Sequence, residues 1–111
     1  MATLTAQQIT VSGITPSLAT SAAGGDQFAN DGTQVVWIQN NHASASRTFT
    51  FVTQATLGGL AVTDLTVTVT AANDNAFVGP FPKSIYNDSS GYVQVTYSDS
   101  AADCKIGVFN P

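Results

Sequence analysis

The sequence predicts an all-β protein, one two-sheet β-sandwich spanning residues 1–111, and three observations predict it. Thr and Val occur 15 and 11 times in the 111 residues, and β-branched side chains suit the pleated, half-buried surface of a strand. Apolar and polar residues alternate with period two in one stretch after another, while no segment sustains a 3.6-residue period. Gly, Pro, Asn and Asp cluster between these stretches, marking turns about every 8–12 residues, the rhythm of a sandwich of seven or eight short strands.

Taken in order, Ile9 and Val11 share one face of a first strand, with Thr10 and Ser12 opposite. The stretch from Thr15 to Asp31 is rich in Ala, Ser and Gly and shows no alternation. It is expected to be a long irregular segment, either a surface loop or an arm lying along this subunit or a neighbour. Val35-Val36-Trp37-Ile38 is apolar on both faces. That fits a central strand with core on one side and a loop over the other, or a strand whose Val35 and Trp37 face meets another subunit. Clear alternation follows at Phe49 and Phe51, at Leu65, Val67 and Val69, at Val93, Val95 and Tyr97, and at Cys104, Ile106 and Val108. Turns are expected at Asn30-Asp31-Gly32, Gly58-Gly59, Asn73-Asp74-Asn75, Asn87 to Gly91, and Ser98-Asp99-Ser100. The paired prolines of Gly79-Pro80-Phe81-Pro82 forbid a central strand and indicate an edge or a crossover between sheets. A jelly roll is favoured over an immunoglobulin-like sandwich, because no Cys–Trp–Cys pattern exists.

Charge is the most informative departure from the ordinary. Only 9 % of residues are charged, where about 25 % is usual. There is no Glu, the bases are Arg47, Lys83 and Lys105, and the net charge is −4. So few cations cannot neutralise a phosphate backbone, and nucleic acid is excluded as a partner. No run of 18 apolar residues exists to span a membrane, and the N-terminus lacks the basic start and apolar stretch of a secretory signal. The single cysteine, Cys104, permits no internal disulfide and suits synthesis in a reducing cytosol.

Nothing in the sequence assembles a catalytic set, and no enzyme activity or cofactor is expected. The one histidine, His42, stands in the polar turn Asn40-Asn41-His42-Ala43-Ser44, and Cys104 alternates with core residues, where cysteine is normally inert. The seven aspartates, Asp26, Asp31, Asp64, Asp74, Asp88, Asp99 and Asp103, lie in or beside expected turns, where Asp caps the backbone. Gly25-Asp26 and Asn30-Asp31-Gly32 offer hard oxygen ligands, but their spacing matches no calcium loop. One Cys and one His cannot build a zinc site. Trp37, Tyr86, Tyr92 and Phe109 are the aromatics available to a sugar-binding platform.

What remains is a protein whose task is contact. A surface of Thr, Ser, Asn, Gln and Ala sheds water cheaply because few charges must be desolvated. Contact anchors are expected at Val35, Trp37, Arg47 and Phe109 and in the segment Thr15–Ala23, notably Thr15, Ser17 and Leu18.

Two stretches carry a family resemblance. Gly25-Asp26-Gln27-Phe28-Ala29-Asn30-Asp31-Gly32, with the strand ending at Asn40, is one. The other is Val78-Gly79-Pro80-Phe81-Pro82, then Tyr86-Asn87-Asp88, then Gly91-Tyr92-Val93-Gln94-Val95-Thr96-Tyr97-Ser98. In both, the chain resembles capsid decoration (cement) proteins of tailed bacteriophages. The resemblance implies a non-enzymatic β-sandwich, made in a bacterial cytoplasm and docked on the outside of the virion's capsid. It further implies a homotrimer at local three-fold positions that binds the major capsid protein and clamps neighbouring capsomers. The family supplies no catalytic residues. Its motif positions read structurally: Gly32 and Gly91 permit turns, Pro80 and Pro82 stiffen a crossover, and Phe28 and Phe81 anchor their segments in the core.

Overall fold

The computed structural model describes residues 2–22, 24–70, 74–98 and 104–111. Its strands are β1 (Ala2–Leu4), β2 (Gln7–Gln8), β3 (Ala19–Thr20), β4 (Asp26–Ala29), β5 (Val35–Asn40), β6 (Arg47–Phe51), β7 (Thr56–Leu57), β8 (Leu60–Ala61), β9 (Leu65–Val69), β10 (Asp74–Val78), β11 (Tyr92–Tyr97) and β12 (Cys104–Asn110). One helical turn, α1 (Lys83–Tyr86), lies between β10 and β11.

Two sheets pack face to face. One has the order β1-β4-β11-β6-β9; the other runs β10-β5-β12-β2, with β3 also against β12. The antiparallel pairs are nested: β6 with β9, β5 with β10, β4 with β11 and β3 with β12. A long hairpin rolled into two sheets gives this pattern, so the strand order is that of a jelly roll. The immunoglobulin-like alternative does not nest in this way. The first residues add to the edges, β1 parallel to β4 and β2 parallel to β12.

Alternation decides which side chains fill the gap between the sheets. Phe28, Phe49, Phe51, Val69, Val93 and Val95 from one sheet meet Val36, Ile38, Cys104, Ile106 and Val108 from the other, all buried. The crossover from β10 to β11 contributes Phe81, which packs 4.9 Å from the Phe51 ring and edge-on to Phe28 at 5.7 Å and Tyr86 at 5.4 Å. The chain exposes 5857 Å², close to the roughly 5,800 Å² expected of a self-contained monomer of this mass. The core therefore closes without help from a neighbour.

The structure revises three sequence expectations. Residues 15–31 are not irregular throughout: they hold β3 and β4, and β4 is interior to its sheet. The alternation signal fails there because Asp26, not an apolar residue, occupies an inward position and is 1 % exposed. Ile9 and Val11 do not form a strand. The chain leaves β12 after Gln8 and turns at once, with Gly13 N–H donating to the Thr10 carbonyl at 3.0 Å. The turn expected at Asn73-Asp74-Asn75 instead opens β10 at Asp74. Ala23, Asn73, Asp99, Ser100 and Asp103 lie outside the described residues.

Candidate functional site

The outer face of the β10-β5-β12 sheet carries a cluster of three aromatic rings, Trp37, Phe77 and Phe109. In β5, Val36, Ile38 and Asn40 point inward, so Val35, Trp37 and Gln39 point outward. Cross-strand register sets Phe77 of β10 opposite Trp37, and Gly107 of β12 opposite it on the other side. The Trp37 and Phe77 rings stack at 5.6 Å, and Phe109 tilts against Trp37 at 6.3 Å. Asn75 fixes the indole, since its Oδ1 accepts from Trp37 Nε1 and from Gln39 Nε2, both at 2.9 Å.

A loop from residue 9 to residue 18 folds over part of this face. Its ends are tied by a reciprocal amide pair: Gln7 Nε2 donates to the Ser17 carbonyl at 2.7 Å, and Ser17 N–H donates to Gln7 Oε1 at 2.9 Å. Gly107 makes the close approach possible. A Cβ there would stand 2.6 Å from Leu18 Cδ2 and 3.1 Å from the Ser17 carbonyl oxygen. The loop buries Phe109 and leaves Phe77 69 % exposed. Between loop and sheet runs an apolar groove of about 290 Å³, lined by Ile9, Ile14, Pro16, Trp37, Phe77 and Phe109.

The expected contact residues are thus partly gathered. Val35, Trp37 and Phe109 belong to this outer face, and Ser17 and Leu18 to the loop that covers it, with Thr15 exposed on the same loop. Arg47 stands apart, at the start of β6 in the opposite sheet, in register with Val69. Phe77, Ile9 and Ile14 were not among the expected contact residues, whereas Pro16 falls within the expected segment Thr15–Ala23. Phe77 was hidden because Asn73-Asp74-Asn75 reads as a turn, which removes the strand that would have placed it.

A second apolar feature projects from the connection between β6 and β9. The β7–β8 hairpin turns at Gly58-Gly59 and presents Leu57 and Leu60, 78 % and 74 % exposed. Its base is fixed. Thr53 N–H donates to Asp64 Oδ1 at 2.8 Å, and Ala55 N–H to the Ile85 carbonyl of α1 at 3.0 Å.

The remaining polar side chains serve the fold. His42 Nδ1 accepts the N–H groups of Ser44 and Ala45 at 3.0 and 2.8 Å, which commits that nitrogen to the turn. Cys104 is buried, in register with Asn40. Asp31 caps Thr33, whose hydroxyl and N–H hold its carboxyl below the usual range. The Tyr92 N–H and the Gln94 amide do the same for Asp88. Asp26 is the exception to turn capping. Its Oδ2 accepts from the Tyr97 hydroxyl at 2.5 Å and from Ala22 N–H at 3.3 Å, while its buried Oδ1 has no hydrogen-bond partner among the described residues. Burial and this carboxylate push the Tyr97 hydroxyl well above the usual phenol range.

Among the described residues no three His, Cys, Asp or Glu side chains converge on a point that could hold a metal, and no helix is long and apolar enough to cross a membrane. The four aromatics considered for a sugar platform separate. Tyr86 packs against the core ring Phe81, Tyr92 lies on the other sheet, and only Trp37 and Phe109 are neighbours.

The two stretches that carry the family resemblance meet in space. Asn30 Nδ2 donates to the Phe81 carbonyl at 2.9 Å and to Asn87 Oδ1 at 2.7 Å, and Asn87 Nδ2 donates back to the Asn30 carbonyl at 2.8 Å. Comparison with models of known families, with curated proteins and with solved structures finds no match for the chain.

Proposed function

We propose that the protein is a structural virion component, a decoration protein that binds the outer surface of a phage capsid and strengthens contacts between capsomers. The observation that carries this reading is the outer face of the β10-β5-β12 sheet: an aromatic groove lined by uncharged residues, on a chain with only 9 % charged residues. Such a face loses little solvation when covered, and stacked aromatics are the usual anchors of a contact. The opposite face supports a contact role by another route. Thr50 lies in register between Thr96 and Thr66, and the Thr48 and Thr68 hydroxyls stand 3.1 Å apart. A surface of neutral hydroxyls adheres with little dependence on salt. The resemblance to cement proteins supplies the class of particle, the homotrimer and the major capsid protein as partner.

The test is binding of purified protein to capsids assembled without it, read by co-sedimentation and by density in cryo-EM. Saturable occupancy of a symmetric external site, with capsids more resistant to heat, is the expected result. A protein that never sediments with such particles sinks the proposal. The Trp37–Phe77 stack, in which Phe77 is exposed and Trp37 half-buried, is flanked by the amides of Gln39 and Asn75 and also favours a second reading as a carbohydrate-binding module. Binding on a glycan array, lost in Trp37→Ala but retained in Tyr92→Ala, would select it.

A further inference from the structure

We infer that copies of this chain join head to tail, the β7–β8 hairpin of one seated in the Ile9–Trp37–Phe77 groove of the next. The inference rests on the contact-protein reading and fills the groove named there with a second copy, which leaves the threonine-faced β4-β11-β6-β9 sheet free to meet a capsid.

Each feature is incomplete alone. A hairpin with two-residue strands has almost no stability of its own, yet this one carries two large aliphatic side chains, both more than 70 % exposed. Its base is nonetheless held by the hydrogen bonds from Thr53 and Ala55, so the leucines are presented on a fixed stalk. The groove is its counterpart: concave, aromatic-floored, walled by Ile and Pro, and open over Phe77.

One molecule does not satisfy itself. The hairpin springs from the β6–β9 edge of one sheet, the groove lies on the outer face of the other, and neither leucine lines it. Projection and recess are different surfaces, so the contact is heterologous, and a head-to-tail contact whose rotation closes forms a ring. Any ring that closes satisfies every hairpin and every groove. No charge from either side is buried in such a contact: residues 53–63 hold none, and none lines the groove. Protein contacts have an apolar centre and a polar rim. Here Leu57, Leu60 and Phe77 form the centre, and the exposed Thr56 beside Leu57 belongs to the rim.

Cysteine pairing tests the contact directly, because the native Cys104 is buried and stays out of the reaction. Leu60→Cys and Phe77→Cys proteins are prepared separately, mixed and oxidised gently. The mixed disulfide should form about tenfold faster than either same-variant disulfide, because docking raises the local concentration of the partner thiol. In parallel, Leu57→Asp with Leu60→Asp, and separately Phe77→Asp, should convert the wild-type ring to monomers by native mass spectrometry. Circular dichroism should show all variants folded, since the altered side chains are exposed. Faster Phe77→Cys self-pairing would mean an isologous contact along β10 and overturn the inference. So would equal rates for all pairs, a monomeric wild type, or a ring that survives the leucine changes. Capsid binding is scored separately. A ring that ignores capsids removes the decoration reading and leaves this contact standing, whereas capsid binding by an obligate monomer does the reverse.

Discussion

Asn30 and Asn87 face each other inside the end of the sandwich and exchange two hydrogen bonds, side chain to side chain at 2.7 Å and side chain to backbone at 2.8 Å. They are 57 residues apart in sequence. The pair ties the turn that enters β5 to the turn that enters β11, and the further bond from Asn30 to the Phe81 carbonyl adds the crossover. Three connections at one end of the molecule are thereby locked by neutral amides.

Truncating either member strands the other's polar groups. Asn30→Ala should lower the unfolding free energy by about 1–3 kcal/mol, the cost of leaving buried partners unsatisfied, and Asn87→Ala by a similar amount. The double variant should cost clearly less than the sum, because both single changes break the same pair. Urea denaturation of the four proteins measures the cycle, and strict additivity would show that the two amides act independently.

Two glycines should respond differently to the same added methyl. At Gly25 the backbone has φ 98°, and a Cβ would stand 2.5 Å from the Val95 carbonyl oxygen, which is held within β11. Gly25→Ala should therefore destabilise the whole sandwich by at least about 1–3 kcal/mol through strain at a position side chains avoid. At Gly107 the conflict is with Leu18 Cδ2, the end of a side chain on a loop. Gly107→Ala should lift the loop off the sheet with a smaller global cost. Hydrogen exchange accelerated over residues 14–18, with β12 still protected, is the expected signature.

Stability should fall at both ends of the pH scale for separate reasons. Hydrogen bonds from Thr33, Thr70 and Tyr92 hold the carboxyls of Asp31, Asp74 and Asp88 below their ordinary range. A carboxyl whose folded pKa is depressed stabilises the fold above its unfolded pKa, about 3.9 for Asp. That contribution is lost as pH drops through the folded value. The acid limb should thus lie below about pH 4, and Asp88→Asn should make it shallower. Tyr97 has the opposite sign, since its raised value favours the neutral phenol in the folded state. Its contribution is complete below about pH 10 and is lost as pH climbs beyond. Tyr97→Phe should lower stability at neutral pH, by removing the donor to buried Asp26, while flattening the alkaline limb. Unfolding free energies across the pH range would read both effects.

The long strands were legible because their alternation is unbroken. Phe49 and Phe51, Val93 and Val95, and Ile106 and Val108 face the core as their period requires. The crossover at Gly79–Pro82 was legible because two prolines leave few alternatives. Less visible were elements whose inward positions are not apolar. In β4, Asp26 breaks the pattern and is tolerated because the Tyr97 hydroxyl, far along the chain, meets it. The candidate surface was half legible. Trp37 stood out in an apolar run, but the groove depends on loop 9–18 folding back and on β10 starting at Asp74. Both are set by tertiary pairing, through Gln7 with Ser17 and Phe77 with Trp37. The nested strand order that identifies the jelly roll is likewise a property of pairing between distant segments.

Asn40 offers the sharpest electrostatic test of the interior. It is fully buried at the end of β5, and its Nδ2 donates to the carbonyls of Ala45, Val69 and Thr70 at 2.8, 3.0 and 3.2 Å. Its Oδ1 accepts the His42 N–H at 3.0 Å. Three acceptors converge on one amide nitrogen, so the site demands a donor. Asn40→Asp keeps the shape and reverses the demand, setting a carboxylate oxygen against three carbonyl oxygens. At neutral pH the variant should lose about 3–5 kcal/mol, as for an uncompensated buried charge. Protonation restores one donor, so the introduced carboxyl should titrate above its unfolded value in the folded state. The variant should then gain stability relative to wild type as pH falls from 7 toward about 4. A pH-independent difference between the two proteins would show that the cost is steric.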